Sequence, residues 1–428
     1  MRDPTTLTSD ELLGMVSGAR WFAAKGRTVD GAEVVGVPVR EGLVTLAVVE
    51  VRFAVGTHEH YLVALGEEDE AVDAFERPEV AAQLAALAGV PSDGARVRPL
   101  GVEQSNSSVV LDELHVLKLY RRLAAGPNPE LEILRMLSAR RFANAPRLEG
   151  SLETEGPPLE TALAAVTALV PAAGDGWGLT LSALGEDPAW LPDRAWRLGE
   201  VTAELHRALA ADDGDPAFAP EEPSAEALGL LTAAIDEEIA TTFASLPEDD
   251  ALGAVAHRAE DLRDLVQEIA TTGAVGLAIR THGDYHLGQV LWANVGDWVV
   301  IDFEGEPARS LPERRRRRSP LRDLAGMTRS FAYVADASLL LNGVEPPAGW
   351  LDASRNAFLD GYLSAADERF LPPSRGGFDR LLSLFELEKL VYELRYEARN
   401  RPDWASIPVI GLLRLLGIDA QSGRFRAS

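Results

Sequence analysis

One short stretch restricts the fold more than any other: His282-Gly283-Asp284-Tyr285-His286-Leu287-Gly288-Gln289, followed by Val300-Ile301-Asp302-Phe303-Glu304-Gly305-Glu306-Pro307. Residues 289–292 and 298–303 are β-prone runs separated by a turn, and they read as a hairpin. This loop–strand–turn–strand unit carries Asp284, Gln289 and Asp302 to one end of the hairpin. Any one of these side chains alone reads as a turn cap or a surface charge. Their spacing and chemistry together call for a fold built around a polar loop and a short internal hairpin.

Composition narrows the setting. The 428 residues suffice for two or three domains at roughly 100–200 residues each. Hydrophobic residues make up 46% and charged residues 25%, which excludes general disorder. With 41 Lys and Arg against 67 Asp and Glu, the net charge is −26, so neither a nucleic acid nor an anionic membrane is an expected partner. The absence of cysteine removes disulfides, thiolate nucleophiles, iron–sulfur clusters and Cys-ligated zinc. The start, Met1-Arg2-Asp3-Pro4 with Asp10 and Glu11 close behind, is not of signal-peptide type, and no apolar run approaches the roughly 20 residues that span a bilayer. The expectation is a cytoplasmic monomer.

Along the chain, residues 34–39, 43–55 and 59–65 read as strands after one short helix, with Gly56-Thr57-His58 as a turn. A helix is predicted over 79–88. Residues 97–100, 108–111, 115–120 and 163–170 read as further strands, and Pro127-Asn128-Pro129 opens a helix over 130–139. Helices dominate from Gly174, including predicted helices over 194–209, 251–270 and 381–401. The division expected is a cap over 1–90, an intermediate part over 91–173 and a mostly helical part over 174–428. Arg314–Arg318 reads as a solvated surface run, with a phosphate or partner contact as the alternative. The fold class expected is α+β, in the element order of a bilobal protein-kinase-like fold with a β-rich N-terminal module.

Phosphoryl transfer from ATP needs a carboxylate near the acceptor hydroxyl and oxygen ligands that hold Mg²⁺ on the phosphates. Asp284 suits the first task; Gln289, Asp302 and Glu304 suit the second. His286 either touches the transferred phosphate or braces the loop. Lys118 stands alone among apolar residues in Val116-Leu117-Lys118-Leu119-Tyr120, as a lysine that pins ATP phosphates would, or as an edge-strand charge. An acid on the following helix would orient it; Glu132 is the first choice and Glu130 the second. Gln104-Ser105-Asn106-Ser107-Ser108 lacks a Gly-rich pattern, yet its small hydroxyl residues and backbone N–H groups suit a phosphate cradle as well as a plain polar turn.

These segments, with Asn128-Pro129-Glu130-Leu131-Glu132, Ser319-Pro320-Leu321-Arg322-Asp323-Leu324-Ala325-Gly326, residues 392–404 and Arg20-Trp21-Phe22-Ala23-Ala24-Lys25-Gly26-Arg27, resemble actinobacterial maltokinases across nearly the whole chain. That group belongs to the aminoglycoside-phosphotransferase-like kinases. The resemblance implies phosphorylation of a sugar hydroxyl with ATP and Mg²⁺. It also implies an adenine-binding linker at Ala168, Leu169 and Val170, and a ribose contact at Asp175.

Members of the group phosphorylate maltose or glucosamine. The predicted helix 381–401 carries Leu384, Leu387, Val391, Leu394 and Ala398 as an apolar stripe and Glu386, Lys389, Glu393, Glu397 and Asn400 as a polar one. The polar stripe reads either as a solvated face or, with Arg399, Asp403 and Trp404, as the wall of a sugar pocket. An aromatic ring stacks on a sugar, and a carboxylate pairs with the ammonium that glucosamine has and maltose lacks. Asp403 before Trp404, and Ala405-Ser406-Ile407-Pro408 after it, depart from the maltokinase pattern. The expected acceptor is D-glucosamine, phosphorylated on O6. Maltose is the alternative, and a nucleotide-binding regulatory protein of pseudokinase type is a third reading.

Overall fold

The structure, a computed structural model, describes residues 3–66, 72–92, 96–101, 105–210, 214–224, 226–247, 249, 252–270 and 275–418. The chain divides into two compact units: residues 1–171 with 303–315, and residues 172–302 with 316–428.

In the first unit, α1 (Ser9–Val16) begins with a capping box in which Thr8 Oγ1 accepts the Glu11 N–H and the Glu11 carboxylate accepts the Thr8 N–H. β1 (Val29–Glu41), β2 (Val44–Phe53) and β3 (His58–Leu65) follow as antiparallel neighbours. Gly56, at φ 80°, lets the chain turn back between β2 and β3. Next come α2 (Pro78–Leu87), β4 (Val97–Pro99), β5 (Ser107–Leu111), β6 (His115–Leu119), β7 (Arg122–Leu123), α3 (Pro129–Ala139), β8 (Leu148–Thr154) and β9 (Thr161–Ala168). They form two sheets, ordered β1-β2-β3-β7 and β4-β5-β6-β9-β8.

Strand alternation sorts the first sheet's side chains into two cores. Val49, Val51, Tyr61 and Val63 pack with Leu12, Trp21 and Phe22, whereas Leu46, Val48, Leu62 and Ala64 pack with α2 and with Val109, Leu117 and Val166 of the second sheet. Each such burial contributes about 1.5–3 kcal/mol.

The second unit opens with β10 (Ala172–Asp175), α4 (Gly176–Glu186), α5 (Pro192–Leu209), α6 (Ala227–Ala244) and α7 (Ala259–Ala270). β11 (Val290–Ala293) and β12 (Asp297–Val300) pair antiparallel, with β10 on the outer side of β11. The short α8 (Leu311–Arg314) belongs to the first unit, and α9 (Leu321–Asn342), α10 (Trp350–Ala365), α11 (Arg375–Asn400) and α12 (Ser406–Leu415) to the second. α9 is buried along most of its length and packs on α4, α10, α11 and α12. α5 and α10 cross at Gly199 and Gly361, where a Cβ on either would lie 2.0 Å from a carbonyl oxygen of the other helix.

Several expectations change. The helix expected from 251 starts only at Ala259. Gly253 disfavours helix by about 1 kcal/mol, and Glu260 and Asp261 suit a first turn at that point. α11 starts earlier than expected, at Arg375, because Ser374 caps it by accepting the Gly377 N–H. Its polar stripe is not a solvated face: Glu386 is 9% and Glu397 2% exposed. The arginine run is not a solvated patch either. Arg314 donates to the carbonyl oxygens of Pro307 and Arg309, Arg315 makes a two-pronged pair with Glu132, and in the second unit Arg317 pairs with Glu221. Among the described residues, no helix is long and apolar enough to cross a membrane.

Candidate functional site

In the second unit, the 282–289 loop is held from α9. The Asp323 carboxylate accepts the backbone N–H of His282 at 2.8 Å and of Gly283 at 3.0 Å, and the His206 imidazole donates to it at 3.0 Å. Tyr362 O–H lies 3.0 Å from His206 Nδ1, and the Nε2–H of His206 faces Asp323. Burial alone would raise the Asp323 carboxyl; the hydrogen bond and charge of His206, with the Gly283 N–H, hold it below the usual range. Gly326 lets the α9 backbone approach the loop, since a Cβ there would lie 2.5 Å from the Tyr285 carbonyl oxygen. Further along, Ser330 Oγ accepts the Leu287 N–H at 3.1 Å, and Tyr285 O–H meets Thr202 at 2.9 Å.

Within the loop, His282 Nε2 donates to the Ile301 carbonyl at 2.9 Å. His286 Nδ1 accepts the Gly288 N–H at 3.0 Å, which leaves the proton of the neutral ring on Nε2. Burial is the main reason the His286 imidazole is held below its ordinary pKa, with Asp284 and Asp302 pulling the other way. Gln289 Nε2 donates to Asp302 Oδ2 at 3.1 Å, and Ile301 N–H to the Gln289 carbonyl at 3.0 Å. Asp302 stands just past β12 at φ 62°, a left-handed conformation in which Asp is among the better tolerated residues. Lys389 of α11 reaches Asp284 Oδ1 at 3.4 Å. The structure thus gathers Asp284, His286, Gln289 and Asp302 at one end of the hairpin. The Gln289 side-chain oxygen and the Asp302 carboxylate are hard oxygen donors of the kind that suits Mg²⁺.

The wall proposed for a sugar pocket is partly spoken for. Glu393 pairs with the buried Arg329 at 2.8 Å, and Glu397 accepts from Tyr333 O–H at 2.7 Å and from Arg401 Nε at 2.8 Å. Trp404 stacks on Tyr333 and Trp177 packs against it at a tilt, with centroids 6.0 and 5.8 Å from the Tyr333 ring. Trp177 and Tyr333 were not anticipated; their aromatic character was the one available signal. Arg399, Asn400 and Asp403 are exposed. Asp175 caps α4 by accepting the Gly178 N–H at 2.8 Å.

In the first unit, Lys118 on β6 extends to Glu130 Oε2 at 3.0 Å and also pairs with Glu304. The acid of α3 that meets Lys118 is therefore Glu130. Glu132, the first choice, is engaged by Arg315 at 2.7 Å through both carboxylate oxygens. Two positions along a helix turn a side chain through about 200°, so only one of the pair can face β6. Tyr120 O–H donates to Glu130 at 2.9 Å; its burial, and then the Glu130 charge, push the phenol well up.

Asn106 bridges Glu304 and the backbone, donating to the first and accepting the Arg121 N–H at 3.2 Å. Ser107 Oγ accepts from Arg121 Nε at 2.8 Å, Ser105 Oγ accepts from Asn106, and Ser108 Oγ is buried with no hydrogen-bond partner among the described residues. Arg121, clamped by Asp73, was not anticipated. Gln104 lies outside the described residues. Ala168 ends β9, with its N–H on the Arg147 carbonyl; Leu169 N–H meets the Leu114 carbonyl, and Val170 follows.

Residues 96–340 match the phosphotransferase enzyme family, and residues 16–94 match the maltokinase N-terminal cap domain. The chain belongs to the phosphotransferase enzyme family. A glucosamine kinase of Streptacidiphilus jiangxiensis is 32% identical over 383 residues, spanning 84% of this chain and 81% of that protein. A glucosamine kinase of Mycolicibacterium smegmatis is 30% identical over 328 residues, spanning 74% and 79%. The crystal structure of a glucosamine kinase (crystal form A) superposes with a TM-score of 0.69 at 25% identity over 92% of this chain and 94% of that one. Another, in complex with glucosamine, ADP and inorganic phosphate, gives 0.70 at 24% identity over 96% and 100%, which speaks for the fold. The kinase-like phosphotransferase fold with a β-rich cap, expected from the sequence, is the fold found.

Proposed function

We propose that this phosphotransferase is an ATP- and Mg²⁺-dependent kinase that converts D-glucosamine to D-glucosamine 6-phosphate. Family membership and its relatives make it a sugar kinase; the acceptor and the residue roles are our inference. The observation that carries the chemistry is the assembly of Asp284, His286, Gln289 and Asp302 at one hairpin end.

In this reading Asp284 orients the acceptor hydroxyl and takes its proton as the bond to phosphorus forms. The neutral His286 offers an Nε2–H to the transferred phosphate. Gln289 and Asp302 would hold Mg²⁺, with Glu304 as a further oxygen ligand, and the ion supplies charge neutralisation of the phosphates. Lys118, oriented by Glu130, steadies the donor phosphates; Ser105, Asn106, Ser107 and Ser108 line their loop. Ala168 and Val170 meet adenine, and Asp175 the ribose. Most of the rate enhancement comes from positioning and charge stabilisation.

Glucosamine is favoured over maltose by the two glucosamine kinases that match most of the chain and by Asp403, an exposed carboxylate beside Trp404; Glu393 and Glu397 are already paired with Arg329, Tyr333 and Arg401. A carboxylate–ammonium contact is worth about 1.5–3 kcal/mol, or roughly 10- to 100-fold in discrimination. The maltokinase-type cap favours the second reading, a maltokinase forming maltose 1-phosphate. The test is ADP release with each sugar under Mg²⁺-ATP. Turnover of glucosamine at a kcat/KM well above that of maltose is expected. A preference for maltose sinks the acceptor assignment.

A further inference from the structure

The cap sheet carries three ligating side chains on one face. Glu50 of β2 stands directly opposite His60 of β3 in the antiparallel register, and His58 lies two residues earlier on β3. Strand alternation puts all three on the face that holds Leu46, Val48, Leu62 and Ala64 nearer the core, where the sheet runs out towards the turn at Gly56. His60 Nε2 lies 3.4 Å from Glu50 Oε2, and the two imidazole rings meet edge-on with centroids 5.2 Å apart. One donor atom from each residue lies within 4.8 Å of the other two. Arg52, opposite His58 on the same face, is paired with Glu33 at 2.8 Å, so Glu50 is not its salt-bridge partner there.

The Glu50–His60 distance of 3.4 Å matches two ligands of one transition-metal ion, and His58 stands within 4.8 Å to complete the set. Two ligands that each stand about 2.0–2.1 Å from a tetrahedral ion lie about 3.3–3.4 Å apart. Two imidazoles and a carboxylate suit zinc and its first-row neighbours, whereas Mg²⁺ and Ca²⁺ take oxygen ligands. His58 is exposed, giving an ion a way in.

We propose that Glu50, His58 and His60 form a binding site for a zinc-type divalent cation, with water in the remaining position. The ion would tie β2 to β3 beside the turn that joins them.

The test uses the full-length chain, stripped with a chelator and titrated with Zn²⁺ or Co²⁺ in excess Mg²⁺. One equivalent should bind, Co²⁺ should develop the visible absorption of a four-coordinate ion, and zinc should raise the thermal midpoint. His58→Ala should weaken binding by about tenfold or more, and His58→Ala/His60→Ala should abolish both the absorption and the thermal shift. Circular dichroism should show both variants folded; should the double variant unfold, the exposed single substitution His58→Ala decides. An equivalent bound as tightly by the variants, or no zinc uptake by the parent chain, overturns the proposal.

Discussion

Asp323 accepts the backbone N–H of His282 at 2.8 Å, so a carboxylate on α9 sets where the 282–289 loop begins. The same carboxylate meets His206 at 3.0 Å, with the two side chains 2% and 1% exposed. Asp323→Ala leaves two loop N–H groups and a buried imidazole without their partner. Breaking a buried pair in this way should cost roughly 3–5 kcal/mol of stability and lower kcat as the loop loses its anchor. Chemical denaturation and steady-state kinetics check both effects; an unchanged midpoint contradicts the anchoring role.

Stability should fall on acidification in two windows. The His286 imidazole is held below its ordinary pKa mainly by burial, so below about pH 6.5 the unfolded chain takes up a proton that the folded chain refuses. Asp323 is likewise depressed, so its contribution is complete above about pH 3.9 and is lost as the pH drops through its lower folded value. Unfolding free energy measured from pH 8 to 3 should show both declines, and His286→Asn should remove the first. A first decline of unchanged size in that variant counts against the assignment.

Lys118 distinguishes two neighbouring acids. Glu130→Gln removes the charge that orients it, whereas Glu132→Gln disturbs the pair with Arg315. At about 1.5–3 kcal/mol for a charge-assisted bond, Glu130→Gln should lower kcat/KM for ATP roughly 10- to 100-fold. Glu132→Gln should change it much less. Equal losses from both substitutions would remove the distinction.

Asp284→Asn should reduce kcat by about 10²–10⁴ with the fold intact, the range for loss of a proton acceptor. Asp302→Asn keeps a residue type that tolerates the left-handed backbone, so it tests metal holding without disturbing the turn. It should raise the Mg²⁺ concentration needed for half-maximal rate, and chelation should stop the parent enzyme reversibly. Near-normal turnover by Asp284→Asn would refute its assignment as base.

The loop and hairpin were legible because their chemistry lies in adjacent residues, where spacing alone fixes which side chains share an end. Asp323 was visible only as part of a family motif; its grip on His282 depends on how α9 packs, which no local pattern carries. Glu130 and Glu132 were both plausible partners for Lys118, since choosing between them needs the rotation of α3 about its axis. The arginine run was read as solvated, and the acids of α11 were left between a solvated face and a pocket wall, for one shared reason. Their partners, Glu132, Glu221, Arg329 and Arg355, are distant in sequence, and a charge whose partner is remote looks exposed.

Gly326 contributes no functional group, yet the α9 backbone can lie against Tyr285 only because that position has no side chain. One methyl group there would press on the residue that follows Asp284. A substitution at this position would therefore be felt in turnover, through the backbone of the loop alone.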